Sequence, residues 1–137
     1  MMCRSRKRSD ASGRSGVAMV ELAVCLPTLL LILLTGIQAA DMIFLKQTLQ
    51  IASYESARAA IKRKGTSALA EDAAEAILDG RGVNGYSITF DPQNVASAER
   101  GDVIRVTVSA AADANTVLPG WLPLAQDMSV STRMVKE

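Results

Sequence analysis

Hydrophobic and polar positions change period along this chain. From Leu22 to Ala40 nineteen residues carry no charge, and Asp41 closes the run. A bilayer core about 30 Å thick takes roughly 20 helical residues, so the stretch is long enough to cross once. Beyond it Leu45, Leu49, Ala52, Ser56 and Ala60 recur at helical spacing. That predicts one helix continuing to about Lys64, with Gly65 as its stop. A second helix is expected from a cap at Thr66 or Ser67 to about Asp79, with Leu69, Ala73, Ala76 and Ile77 on one face and Gly80 ending it. The period then falls to two. Tyr86, Ile88 and Phe90, then Ile104, Val106, Val108 and Ala110, then Val130, Thr132 and Met134 alternate with polar neighbours, which predicts three strands. A sheet with one apolar face needs a cover, and the helices are at hand to supply it. The expected fold is α+β: a long N-terminal transmembrane helix continuing into a small head of a second helix and a roughly three-stranded antiparallel sheet.

Charge follows the same division. The 137 residues hold 15 basic and 14 acidic side chains, but Arg4, Arg6, Lys7, Arg8 and Arg14 crowd before the apolar run. The chain therefore reads as a basic leader (1–16), a transmembrane segment (17–40) and a slightly acidic head (41–137). Cations ahead of a span predict a cytoplasmic N-terminus and an extracytoplasmic head; an inner-membrane location is what the family resemblance described below implies.

Composition closes most chemistry. There is no histidine, so Ser-His-Asp and Cys-His pairs and imidazole zinc sites are excluded. Cys3 lies in the basic tip and Cys25 in the apolar run, which gives no disulfide framework. No phosphate-binding loop or Cys-x-x-Cys pattern occurs. The expectation is a protein that is not an enzyme and that takes no cofactor and no metal. Only a carboxylate pair such as Glu71 and Glu75 would remain for catalysis. Glu71, Asp72, Glu75 and Asp79 fit a solvated helix face better than a calcium site, since no glycine-turned loop accompanies them.

One group resists the reading of a plain anchor. Glu21 stands at the entrance of the apolar run, where a carboxylate is costly unless it has a task; the bland alternative is that it snorkels to the headgroups. Pro27 removes a backbone donor early in the span, though membrane helices tolerate proline. A secretory signal would need a shorter apolar core and a small-x-small end, and Ile37-Gln38-Ala39 offers a bulky residue there.

The leader, then Arg14-Ser15-Gly16-Val17-Ala18-Met19-Val20-Glu21-Leu22, resembles the class III signal of type IV pilin-like proteins. The wider pattern of Gly16, Ala18, Val20, Glu21, Leu26, Pro27, Ala52, Ala57 and Arg58 resembles the TadE-like family, minor pseudopilins of the tight-adherence (Flp) pilus system. The resemblance implies cleavage by a prepilin peptidase between Gly16 and Val17, and Glu21 as the acid that meets the N-terminal amine of a neighbouring subunit. Partners would be that peptidase, other pilins or pseudopilins, the tight-adherence membrane platform and lipid, in a cell-adhesion apparatus. Leu22 stands where members often carry an aromatic residue, and Gln38 where they often carry a second acid. The alternative is an uncleaved single-pass membrane protein whose head binds an unrelated partner; a secreted head freed by ordinary signal peptidase is the third reading.

Three further features have ordinary explanations. Arg58, Lys62, Arg63 and Lys64 suit a helix C-terminus. Nucleic acid is not an expected partner, since no broad basic surface with stacking aromatics exists. Arg100-Gly101-Asp102 precedes a strand, where Gly-Asp is turn chemistry. Leu118-Pro-Gly-Trp-Leu-Pro-Leu124 is expected to form a lid over the sheet's end, with a partner surface as the alternative.

Overall fold

The computed structural model describes residues 11–116 and 127–137, with side chains from Gly16 onward. The Leu118 to Leu124 loop and the leader up to Asp10 lie outside the described residues. The chain divides into two units, one ending at Gly36 and the other running from Ile37 to Glu137.

Helix α1 spans Ala11–Ile61 and contains Pro27. In the first unit its side chains from Gly16 to Leu33 are all exposed. A face that is apolar all round and covered by nothing suits lipid rather than water, and Gly16–Ile61 qualifies by length and composition as a candidate membrane span. Thr35 returns its hydroxyl to the Leu31 carbonyl at 2.7 Å, which hides the polar group within the helix.

The second unit is an α+β head. Helix α2 (Ser67–Gly80) follows α1, then strands β1 (Tyr86–Asp91), β2 (Val103–Ala110) and β3 (Met128–Val135). The sheet is antiparallel in the order β1-β2-β3. Ile88 faces Val108 across the first pair, and Val108 faces Val130 across the second. The central strand buries Ile104, Val106 and Val108 completely, as a strand flanked on both edges should.

The cover is the seam of α1 read from the sequence. Leu45, Leu49, Ala52, Ser56 and Ala60 are all buried, and the apolar ones join Leu78, Val95 and the β2 residues in one core. Most of the seam is Ala or Ser; Leu49, fully buried, supplies the bulk, worth about 1.5–3 kcal/mol by its burial. Thr132, a polar residue on the apolar face of β3, is explained by the helix opposite it. Its hydroxyl pairs with Ser53 Oγ at 2.8 Å.

Two boundaries differ from the sequence expectation. Helix α1 ends at Ile61 rather than near Lys64, and the Gly65 N–H turns back to the Lys62 carbonyl at 2.7 Å. A Cβ at Gly65 would press into the Ala59 and Ala60 carbonyls, so the chain passes so close to its own last turn that only glycine fits. Helix α2 starts as expected, with Thr66 accepting from the Leu69 N–H at 3.3 Å. It ends at Gly80, but the residue with positive φ is Gly82, at 67°, and the Val83 N–H closes on the Leu78 carbonyl at 2.9 Å. That is the left-handed stop that glycine favours.

The face of α2 is also corrected. Ala70, Ala74 and Leu78 are buried, whereas Leu69 is 54% exposed and Ala76 is exposed. Leu69 and Leu78 are nine residues apart and so lie on opposite sides of a helix; only one of them can face the sheet, and Leu78 does.

Candidate functional site

The residues singled out at the start of the apolar helix lie on one continuous stretch of α1. Gly16, Val17, Glu21 and Pro27 are all exposed. Val17 and Glu21 stand one turn apart, about 6 Å along the axis at 1.5 Å per residue. A Cβ at Gly16 would meet nothing within 4 Å and its φ is not positive. Neither packing nor backbone conformation therefore requires glycine there. Cys25 is exposed and free, so it adds no cross-link among the described residues.

In the head, the basic cluster ends α1 as expected: Arg58, Lys62, Arg63 and Lys64 are exposed. Arg58 reaches Glu55 at 3.7 Å, a surface contact of small worth. Arg100, Gly101 and Asp102 form a turn. Gly101 has φ 98°, its N–H donates to the Lys136 carbonyl at 3.0 Å, and the Asp102 carboxylate accepts from the Glu99 N–H at 2.8 Å. The turn closes β2 onto the segment after β3. Asn115 ties the other end, donating to the Asn84 and Ala111 carbonyls and accepting from the Asn84 N–H, each at 2.7 Å.

The acidic face of α2 is largely exposed, and Asp79 accepts the Tyr86 hydroxyl at 3.0 Å. That hydrogen bond is the main cause of a Tyr86 phenol held above its ordinary value; burial and the charges of Asp79, Glu75 and Glu71 act in the same direction. Among the described residues no group of three His, Cys, Asp or Glu side chains is placed to hold a metal ion.

Sequence periodicity did not reveal Lys136 or Gln38. The Lys136 side chain is buried and donates to the Val95 and Ala98 carbonyls at 2.8 and 2.9 Å. It lies just past a strand that alternates cleanly, so nothing in the pattern marks it. Gln38 is 4% exposed, and its Oε1 has no hydrogen-bond partner.

Comparison with known families singles out the stretch that contains Gly16, Glu21, Pro27 and most of the buried α1 seam. Residues 16–58 match the model of the TadE-like proteins. The TadE-like segment covers just under a third of the chain, and the match begins at Gly16 itself. It takes in all nine positions on which the resemblance was read and ends at Arg58, leaving α2 and the sheet outside it. A TadE-like segment points to a Tad pilus-associated protein, and the exposed apolar helix is consistent with membrane anchorage. No curated protein and no solved structure matches the chain.

Proposed function

We propose that this protein is a minor pseudopilin-like component of a tight-adherence pilus machinery, trimmed by a prepilin peptidase between Gly16 and Val17. The observation that carries the reading is the TadE-like match that starts at Gly16 and takes in Glu21 and Pro27 on one exposed helix. A glycine that the fold does not need, next to a basic leader, fits a residue kept for a protease.

Function then follows from charge and burial. Trimming removes five basic side chains and one acid, and it creates an amine at Val17 with an ordinary pKa of about 7.7–8.0, mostly cationic near neutral pH. In lipid that amine and the Glu21 carboxylate of a neighbouring subunit each need a partner, because a lone charge costs at least about 2.5–3.5 kcal/mol at the bilayer centre and less toward the interface. Pairing them docks helix against helix. The leader keeps the N-terminus in the cytoplasm and leaves the head outside, where it meets other pilins or the membrane platform. The work done is association, without catalysis.

The N-terminal residue of the protein recovered from its membrane tests this directly. Val17 at the start supports the reading. Met1 retained would favour an uncleaved anchor, and a start at Ala40 would sink both. Glu21→Leu should leave membrane insertion intact and reduce incorporation into the pilus machinery; full incorporation of that variant refutes the docking role.

A further inference from the structure

Beyond the membrane helix, the head carries two charged surfaces whose members find no ion-pair partner among the described residues. One is a cavity of about 690 Å³ lined by Arg63, Ala96, Ala98, Arg100, Lys136 and Glu137. Lys136 is 9% exposed and spends two of its three N–H donors on the Val95 and Ala98 carbonyls, which leaves one donor uncommitted. Arg63 and Arg100 are exposed and take part in no ion pair among the described residues. Arg63, Arg100 and Lys136 thus line the cavity together with Glu137.

The other surface is α2. Glu71, Asp72 and Glu75 fall within about 100° of one another at 100° per residue, and none of them is ion-paired among the described residues. Like charges one turn apart destabilise a helix by themselves. The raised Tyr86 phenol agrees that Glu71 and Glu75 stand on its side of the helix beside Asp79.

The two surfaces lie at the same end of the head. Ser67, in the first turn of α2, donates to the Gln93 carbonyl at 3.0 Å and accepts from the Val95 N–H at 3.3 Å. The connection from Gln93 to Ala98 is thereby held against the start of α2, and its Ala96 and Ala98 form a wall of the cavity.

We propose that the Arg63, Arg100 and Lys136 cavity receives the Glu71, Asp72 and Glu75 face of α2 from a second copy of this chain. Three carboxylates match three cations in number, and the cavity is larger than a single oxyanion fills. Because the two surfaces differ, the contact is head-to-tail and propagates from copy to copy instead of closing as a symmetric pair. The inference rests on the head and holds whether or not the bond after Gly16 is cut.

Disulfide trapping of the full chain in detergent micelles tests it, with Cys3 and Cys25 replaced by serine. One preparation carries Ala96→Cys at the cavity, the other Ala68→Cys, one turn before Asp72. Mixed and oxidised, they should cross-link to each other well above the Ala96→Cys preparation alone. Arg63→Glu with Arg100→Glu on the first partner, or Glu71→Lys with Glu75→Lys on the second, should lower the yield about tenfold, and both together should restore it. If a reversed variant fails to fold, salt serves instead: a yield on the parent charges that persists at about 0.5 M salt overturns the proposal. So does a loss that double reversal leaves unrepaired. Absent cross-linking, with inorganic phosphate raising the melting temperature of the head, overturns it in favour of a free oxyanion.

Discussion

Replacing Gly65 with alanine sets a Cβ 2.7 Å from the Ala59 carbonyl oxygen and 2.8 Å from the Ala60 carbonyl carbon, and closer still to the Ala60 oxygen. Comfortable contacts between carbon atoms lie at about 3.5–4.0 Å, so several atoms must move by more than half an ångström. They are backbone atoms of the last turn of α1, whose neighbours Ala57 and Ala60 are fully buried; no flexible side chain is there to swing away. Gly65 does not have positive φ, so the constraint is space alone. Overpacking costs about 1–3 kcal/mol, and a clash borne only by backbone belongs at the upper end. For a head of roughly 100 residues each kcal/mol moves Tm by about 4–8 °C. Gly65→Ala should therefore lower the melting temperature by about 10–20 °C in scanning calorimetry of the full chain in micelles. Gly80→Ala is the matched control: its Cβ meets nothing within 4 Å, and alanine in place of glycine in a helix gains up to about 1 kcal/mol. If Gly65→Ala melts with the parent, or Gly80→Ala loses as much as Gly65→Ala, the close approach described at the end of α1 is wrong.

Two further outcomes follow from hydrogen bonds in the head. Tyr86 has a phenol pKa raised from 10.0, first by its bond to Asp79, so the folded state favours the neutral form; the associated stability is complete below about pH 10 and is lost as pH rises through the folded value. Tyr86→Phe should narrow the gap between melting temperatures at pH 8 and above pH 11, and an unchanged gap counts against the Asp79 contact. Ser53→Ala strands the Thr132 hydroxyl and should cost about 1–3 kcal/mol in urea unfolding, whereas Ser53→Ala with Thr132→Val removes both partners and should cost less; equal losses would mean the 2.8 Å pair contributes nothing.

The sheet was legible because strands β1, β2 and β3 alternate strictly, and Ile104, Val106 and Val108 lie where that pattern points. The α1 seam was legible for the same reason at a different period, carried by Leu45 and Leu49. Helix α2 was placed in the chain but turned to the wrong side. Alanines at 68, 70, 73, 74 and 76 distribute methyl groups around the whole helix, so its pattern could not decide between Leu69 and Leu78; the sheet did. Lys136 was invisible because its burial depends on carbonyls of Val95 and Ala98, some forty residues earlier, brought there by the turn at Gly101. The candidate site near the membrane was read through a run of identities, Gly16, Glu21 and Pro27, since an exposed helix keeps its sequence signature without needing tertiary contacts to explain it.

The alanine and serine seam of α1 also bears on how the head responds to heat and cold. Such side chains surrender almost no rotamer freedom when covered, and each removes less apolar area from water than a leucine would. Unfolding a seam of this kind should raise the heat capacity by less than the usual 12–15 cal/mol/K per residue. A smaller heat-capacity change flattens the curve of stability against temperature, giving the head a broad working range in exchange for a lower maximum.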